Sequence, residues 1–113
     1  MLENIHHNIA KGSWFEKDLC EQMGNVGSEV GRAVNWQKKG NAAQQEKALD
    51  RAFDLLDLTM SDSRWQKSAR LKEICRVREL LADVFYGENQ YHDSPAGLEK
   101  YFYQFALMAR LSK

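Results

Sequence analysis

The chain has 113 residues with 16 basic and 16 acidic side chains, so its net charge is zero, and any affinity for nucleic acid requires a local patch. Its length suits one domain spanning 1–113, and 43% hydrophobic residues exclude general disorder. No run of 18 apolar residues exists to cross a membrane, and Met1 to Gly12, with His6, His7 and Lys11 but no apolar centre, does not read as a signal peptide.

Residues 1–12 are expected to form a flexible or partly ordered lead-in. Ser13-Trp14-Phe15-Glu16 reads as a capping box opening the first helix. Phe15, Leu19, Met23, Val26, Val30 and Ala33 then recur at helical spacing, and the helix is expected to reach about Gln37. Lys38-Lys39-Gly40-Asn41 supplies a stop and the next N-cap. The second helix carries Leu49, Ala52, Phe53, Leu56 and Met60 on one face and ends near Ser61-Asp62-Ser63. A third, expected over about 64–86, carries Leu71, Ile74, Leu81 and Phe85 and stops at Gly87. Ser94-Pro95, an N-cap followed by proline at the first helical position, opens a fourth that runs to about Leu111. Connections this short make successive helices antiparallel, so the expected fold is all-α, an antiparallel up-down-up-down four-helix bundle.

Three surfaces are candidates for contact with other molecules. Cys20, Gly24, Gly27 and Gly31 form a stripe beside the apolar one on the first helix. Interior glycines cost helix stability, so the stripe is expected to admit a close neighbour, either a helix of the same chain or a second subunit. In the fourth helix Leu98, Phe102, Phe105 and Ala109 form a core stripe, while Tyr103, Leu107 and Leu111 lie nearly opposite and call for a cover, preferably a second subunit. Between residues 64 and 78, Arg64, Lys67, Arg70, Lys72, Arg76 and Arg78 face a single acid, Glu73, and Lys38 and Lys39 add a second cluster. These cations either contact phosphates or form a solvated face. Arg78 lies on the apolar stripe and is expected in a buried salt bridge.

Glu46, Asp50, Asp54 and Asp57 share a face of the second helix, where they are solvated, paired with basic neighbours, or used to dock a basic partner. Cys20 and Cys75 lack metal-ligand spacing and are expected to be reduced, buried thiols of a cytoplasmic protein. Catalytic signals are weak. Glu3-Asn4-Ile5-His6 has one copy of a motif that di-iron bundles need twice, His6-His7 reads as a terminus, and no phosphate-cradling glycine loop or nucleophile–base set can be found. The expectation is therefore a non-enzyme without cofactor or metal.

The stretch Leu19-Cys20-Glu21-Gln22-Met23-Gly24-Asn25-Val26-Gly27-Ser28-Glu29-Val30-Gly31-Arg32-Ala33-Val34-Asn35-Trp36 carries a resemblance, together with the Lys/Gly/Asn turn and Ala48-Leu49-Asp50-Arg51-Ala52-Phe53-Asp54-Leu55-Leu56. It resembles the four-helix proteins encoded in intervening sequences of large ribosomal RNA, a family similar to the accessory variability determinant of diversity-generating retroelements. The match covers the first half by pattern and the rest by helix count. The resemblance implies a homo-oligomer, a ring of five, that binds RNA or DNA and a reverse transcriptase during complementary-DNA synthesis, with no catalytic motif. Those relatives are strongly basic, whereas this chain is neutral with an acidic second helix. The alternative is a protein–protein adaptor or regulatory bundle without nucleic-acid binding.

Overall fold

The computed structural model describes residues 12–112. They are mostly helical, and no strand occurs among them. Four helices dominate: α1 (Leu19–Lys38), α2 (Ala42–Met60), α3 (Ala69–Tyr86) and α4 (Pro95–Leu111). None is long and apolar enough to cross a membrane.

Capping chemistry sets most of the boundaries. At the end of α1, Gly40 takes a left-handed conformation (φ +73°) that a residue with a Cβ adopts only at a cost. Its N–H donates to the Gln37 carbonyl and that of Asn41 donates to the Trp36 carbonyl, the paired bonds of a Schellman turn. Asn41 then turns its side chain to accept from the Gln44 N–H at 3.1 Å and start α2. Ser94 accepts from the Gly97 N–H at 3.0 Å, with Pro95 in the first turn of α4.

Two starts differ from expectation. Helix α1 begins at Leu19, because Asp18 and not Ser13 is its N-cap, accepting from the Glu21 N–H at 2.8 Å. Residues 12–14 are helical and 15–17 turn, which lets Trp14 fold back into the core at 5% exposure. Helix α3 begins at Ala69, several residues later than expected. Asp62 captures the Arg64 backbone N–H at 3.0 Å, and Lys67 is left-handed (φ 59°), so residues 61–68 form a compact turn.

The core is built from Met23, Val26, Val30 and Ala33 of α1, Ala48, Leu49, Ala52 and Leu56 of α2, Ile74, Val77 and Leu81 of α3, and Leu98 and Phe102 of α4. Helix α1 packs chiefly on α2 and α4, while α3 leans on α2 and touches α4 lightly. The glycine stripe makes the α1–α4 contact possible. A Cβ on Gly24 would lie 3.2 Å from the Ala106 backbone, and one on Gly27 would lie 2.5 Å from Phe102 Cβ. Beside Gly31 the nearest atom is Glu99 Oε2, at 3.7 Å. The positions thus pair in descending order along α4, with 31 opposite 99, 27 opposite 102 and 24 opposite 106.

This difference within one stripe is measurable. Gly27→Ala should destabilise the protein by about 1–3 kcal/mol, the usual cost of overpacking. Gly31→Ala meets no clash and should gain up to about 1 kcal/mol from helix propensity. Urea denaturation of both variants, read as midpoint and slope, checks the opposite signs.

Candidate functional site

The cations between 64 and 78 fall into three groups. Arg64 is consumed within the fold. Its Nη2 donates to Asp62 Oδ2 at 2.7 Å, its Nε to Oδ1 at 3.0 Å, and its guanidinium stacks 4.6 Å from the centre of the Trp65 ring. Arg78 is likewise engaged, donating to Asp57 Oδ1 at 2.6 Å and lying 5.0 Å from the centre of the Phe53 ring. The buried bridge expected of Arg78 is instead a bridge at the surface, since its side chain is 38% exposed and that of Asp57 is 50% exposed. Such a pair contributes little, on the order of 0–1 kcal/mol, because water screens it.

The third group is Lys67, Arg70, Lys72 and Arg76, all exposed and in no ion pair among the described residues. Lys67 sits in the turn before α3. Lys72 and Arg76 are one helical turn apart on the outward face, and Arg70 lies on another side. The same outward face continues through Glu79 and Asp83, so α3 changes sign from basic to acidic along its length. Lys38 and Lys39 lie at the α1–α2 turn, with Lys39 Nζ 5.2 Å from the centre of the Trp36 ring. Lys38 borders a shallow cleft with Arg32, Asn35 and Glu99. The 19 residues of α2, about 28 Å of helix, run between this turn and the start of the 61–68 turn. The two basic clusters are therefore separate surfaces.

Much of the glycine stripe is unavailable to a second subunit. Gly24 and Gly27 lie under Ala106 and Phe102 of the same chain, so the close neighbour is α4. Gly31 opens into the cleft, and Cys20 is only half-buried. Cys75, expected to be buried, is also half-buried, with its thiol 3.5 Å from Met60 Sδ, and both cysteines are free. On the far side of α4, Tyr103, Leu107 and Leu111 are exposed, joined by Met108, which the sequence reading left out. Arg110 covers part of this stripe, its guanidinium 5.8 Å from the centre of the Tyr103 ring.

A buried polar cluster also went unanticipated. Gln22 is fully buried; its Nε2 donates to the Trp14 carbonyl and to Asp62 Oδ2, both at 3.0 Å. Its Oε1 accepts from Trp65 Nε1 at 2.9 Å, and Trp14 Nε1 donates to Thr59 Oγ1 at 2.9 Å. Every burial cost here is answered by a partner, as a stable polar cluster requires. The available signal was Gln22 itself, a polar residue three positions from Leu19 and four from Val26 in the apolar stripe. The Arg64 guanidinium, helped by Gln22, holds the Asp62 carboxyl at about 2 against the desolvation that opposes it.

Of the acidic face, Asp57 is taken by Arg78, and Glu46 and Asp50 are exposed. Between α3 and α4, Tyr101 keeps its hydroxyl buried and without a well-formed hydrogen bond, close to the Glu73 carboxylate. Burial first, then the Glu73 charge, raises its phenol well above the usual range, with Arg76 opposing. No group of His, Cys, Asp and Glu among the described residues is arranged to hold a metal ion. Glu3, His6 and His7 lie outside the described residues. No family model, curated protein or solved structure matches the chain.

The Asp62 pairing predicts an acid response. A carboxyl lowered from 3.8 to about 2 on folding contributes stability that is complete above pH 4 and lost as pH falls from about 4 to 2. The stability advantage of wild type over Asp62→Asn should therefore shrink by about 2 kcal/mol across that interval. Urea titrations at pH 7, 5, 3 and 2 measure it, and a pH-independent gap would refute the pairing.

Proposed function

We propose that this chain is a non-catalytic, oligomeric accessory protein that contacts nucleic acid through the basic start of α3. The carrying observation is that Lys72 and Arg76 share an outward face, exposed and without an ion pair, with Lys67 in the turn before α3 and Arg70 on another side of the helix, both likewise exposed. Lys72 and Arg76, left unspent in a chain of zero net charge, supply the centre of the local patch that phosphate binding needs, and Lys67 and Arg70 add charge at the same end of α3. Arg64 drops out of that patch because Asp62 holds it.

The architecture proposed to present this face is the antiparallel up-down-up-down four-helix bundle. The descending register of α4 on α1 supports it, as do the Asp57–Arg78 and Phe53–Tyr86 contacts between α2 and α3. The exposed apolar stripe at the end of α4 supports self-association. The resemblance to retroelement accessory proteins extends the reading to a ring of five and to a reverse transcriptase as partner, in the cytoplasm. A second reading, a protein–protein adaptor, is favoured by the unneutralised carboxylates Glu46 and Asp50, whose charge repels phosphate.

Binding by three or four of these cations fixes the salt response. The slope of log K against log salt should be roughly −2 to −3.5, from about −0.7 per contact on single strands to about −0.9 on duplex. Lys72→Gln with Arg76→Gln should reduce the slope by about 1.4 to 1.8 without loss of helical circular dichroism. Arg78→Gln should leave the slope unchanged. Filter binding of random RNA and DNA across a salt series measures all three, and no binding at low salt would leave the adaptor reading standing.

A further inference from the structure

Helix α2 carries Glu46, Asp50 and Phe53 at positions four and three apart, hence on one face. The last residue of α3, Tyr86, leans over that face with its ring 6.2 Å from Phe53 and 60% of its surface exposed. Glu46 and Asp50 are exposed and in no ion pair among the described residues. The Tyr86 phenol is pushed up by burial first, then by the charges of Asp50 and Glu46, which fits carboxylates close to the ring.

The chain fills the neighbouring position itself. One turn further along α2, the Arg78 guanidinium stacks over Phe53 and binds Asp57, an aromatic ring and a carboxylate taking one cation together. On the other side of Phe53 the same components recur, Tyr86 as the ring and Asp50 and Glu46 as carboxylates, with no cation between them among the described residues.

We propose that the face formed by Glu46, Asp50, Phe53 and Tyr86 docks an arginine-bearing segment of a partner protein. Charge complementarity selects the occupant, since two carboxylates repel phosphate and attract a cation. The exposed ring favours guanidinium over ammonium, because a planar, weakly hydrated cation stacks on an aromatic face while its edge reaches a carboxylate. The site is independent of the nucleic-acid face: Arg76 and Tyr86 are ten residues, about 15 Å of helix, apart on α3.

The test is a nuclear magnetic resonance titration of the isotope-labelled full chain with an acetylated, amidated tetra-arginine peptide and with its tetra-lysine counterpart. Shifts should concentrate on residues 46–53 and 83–87, with the arginine peptide the tighter ligand. Glu46→Gln with Asp50→Asn should weaken binding about fivefold or more, as two exposed ion pairs allow. Tyr86→Ala should weaken it several-fold and Tyr86→Phe should not. These are exposed side chains, and unchanged circular dichroism verifies that each variant is folded. Shifts spread evenly over all acidic surfaces, or indifference to Tyr86→Ala, would overturn the proposal. A change of oligomeric mass in the Glu46→Gln/Asp50→Asn variant with peptide binding intact would assign the face to a second copy and equally overturn it.

Discussion

Phe102 rests on Gly27 so closely that no methyl group fits between the two helices. This approach fixes the rotation and register of α4. With Phe102 and Leu98 turned inward, Tyr103, Leu107 and Leu111 necessarily point away. The apolar outer stripe of α4 is thus a consequence of the glycine seat. The helix-propensity cost of Gly24 and Gly27, on the order of 1 kcal/mol each, is offset by the burial that their close neighbour permits.

A second constraint acts near the start of α1. Gln22 gathers Trp14 from the residues before α1 and both Asp62 and Trp65 from the 61–68 turn, and Asp62 in turn orders Arg64. The cluster pulls the residues before α1 into the core and shapes the turn between α2 and α3. It also decides which cations can meet another molecule, because a guanidinium locked on a buried carboxylate is lost to phosphate. Lys72 and Arg76, on an outward face and without such partners, keep their charge available.

The all-helical character and the positions of the four main helices were legible from the apolar period and from Gly40, Asn41, Gly87 and Ser94-Pro95, which act locally. Both misread starts have one cause. Ser13 looked like the N-cap of α1 and Arg64 like the start of α3 on local pattern, but each lies in a segment shaped by contacts with residues far along the chain, Trp14 with Thr59 and Asp62 with Gln22. Local propensity cannot report such pairings. The glycine stripe was legible as a close-approach surface, and only the fold identifies α4 as its occupant over Gly24 and Gly27. Arg78 was legible as an ion-pair former but not as an exposed one, because its spacing places it on the stripe while its length carries the charge to the rim.

The interior surfaces of this chain are spent on its own fold, and the proposed contacts with other molecules use what remains outside: the basic start of α3, the face formed by α2 and Tyr86, and the outer stripe of α4. Light-scattering mass at micromolar concentration, for wild type and for Tyr103→Glu with Leu107→Glu, tests this most directly. Wild type should show a mass above 13.1 kDa and the variant should be a helical monomer. A wild-type monomer, or a variant that assembles as wild type does, would contradict it.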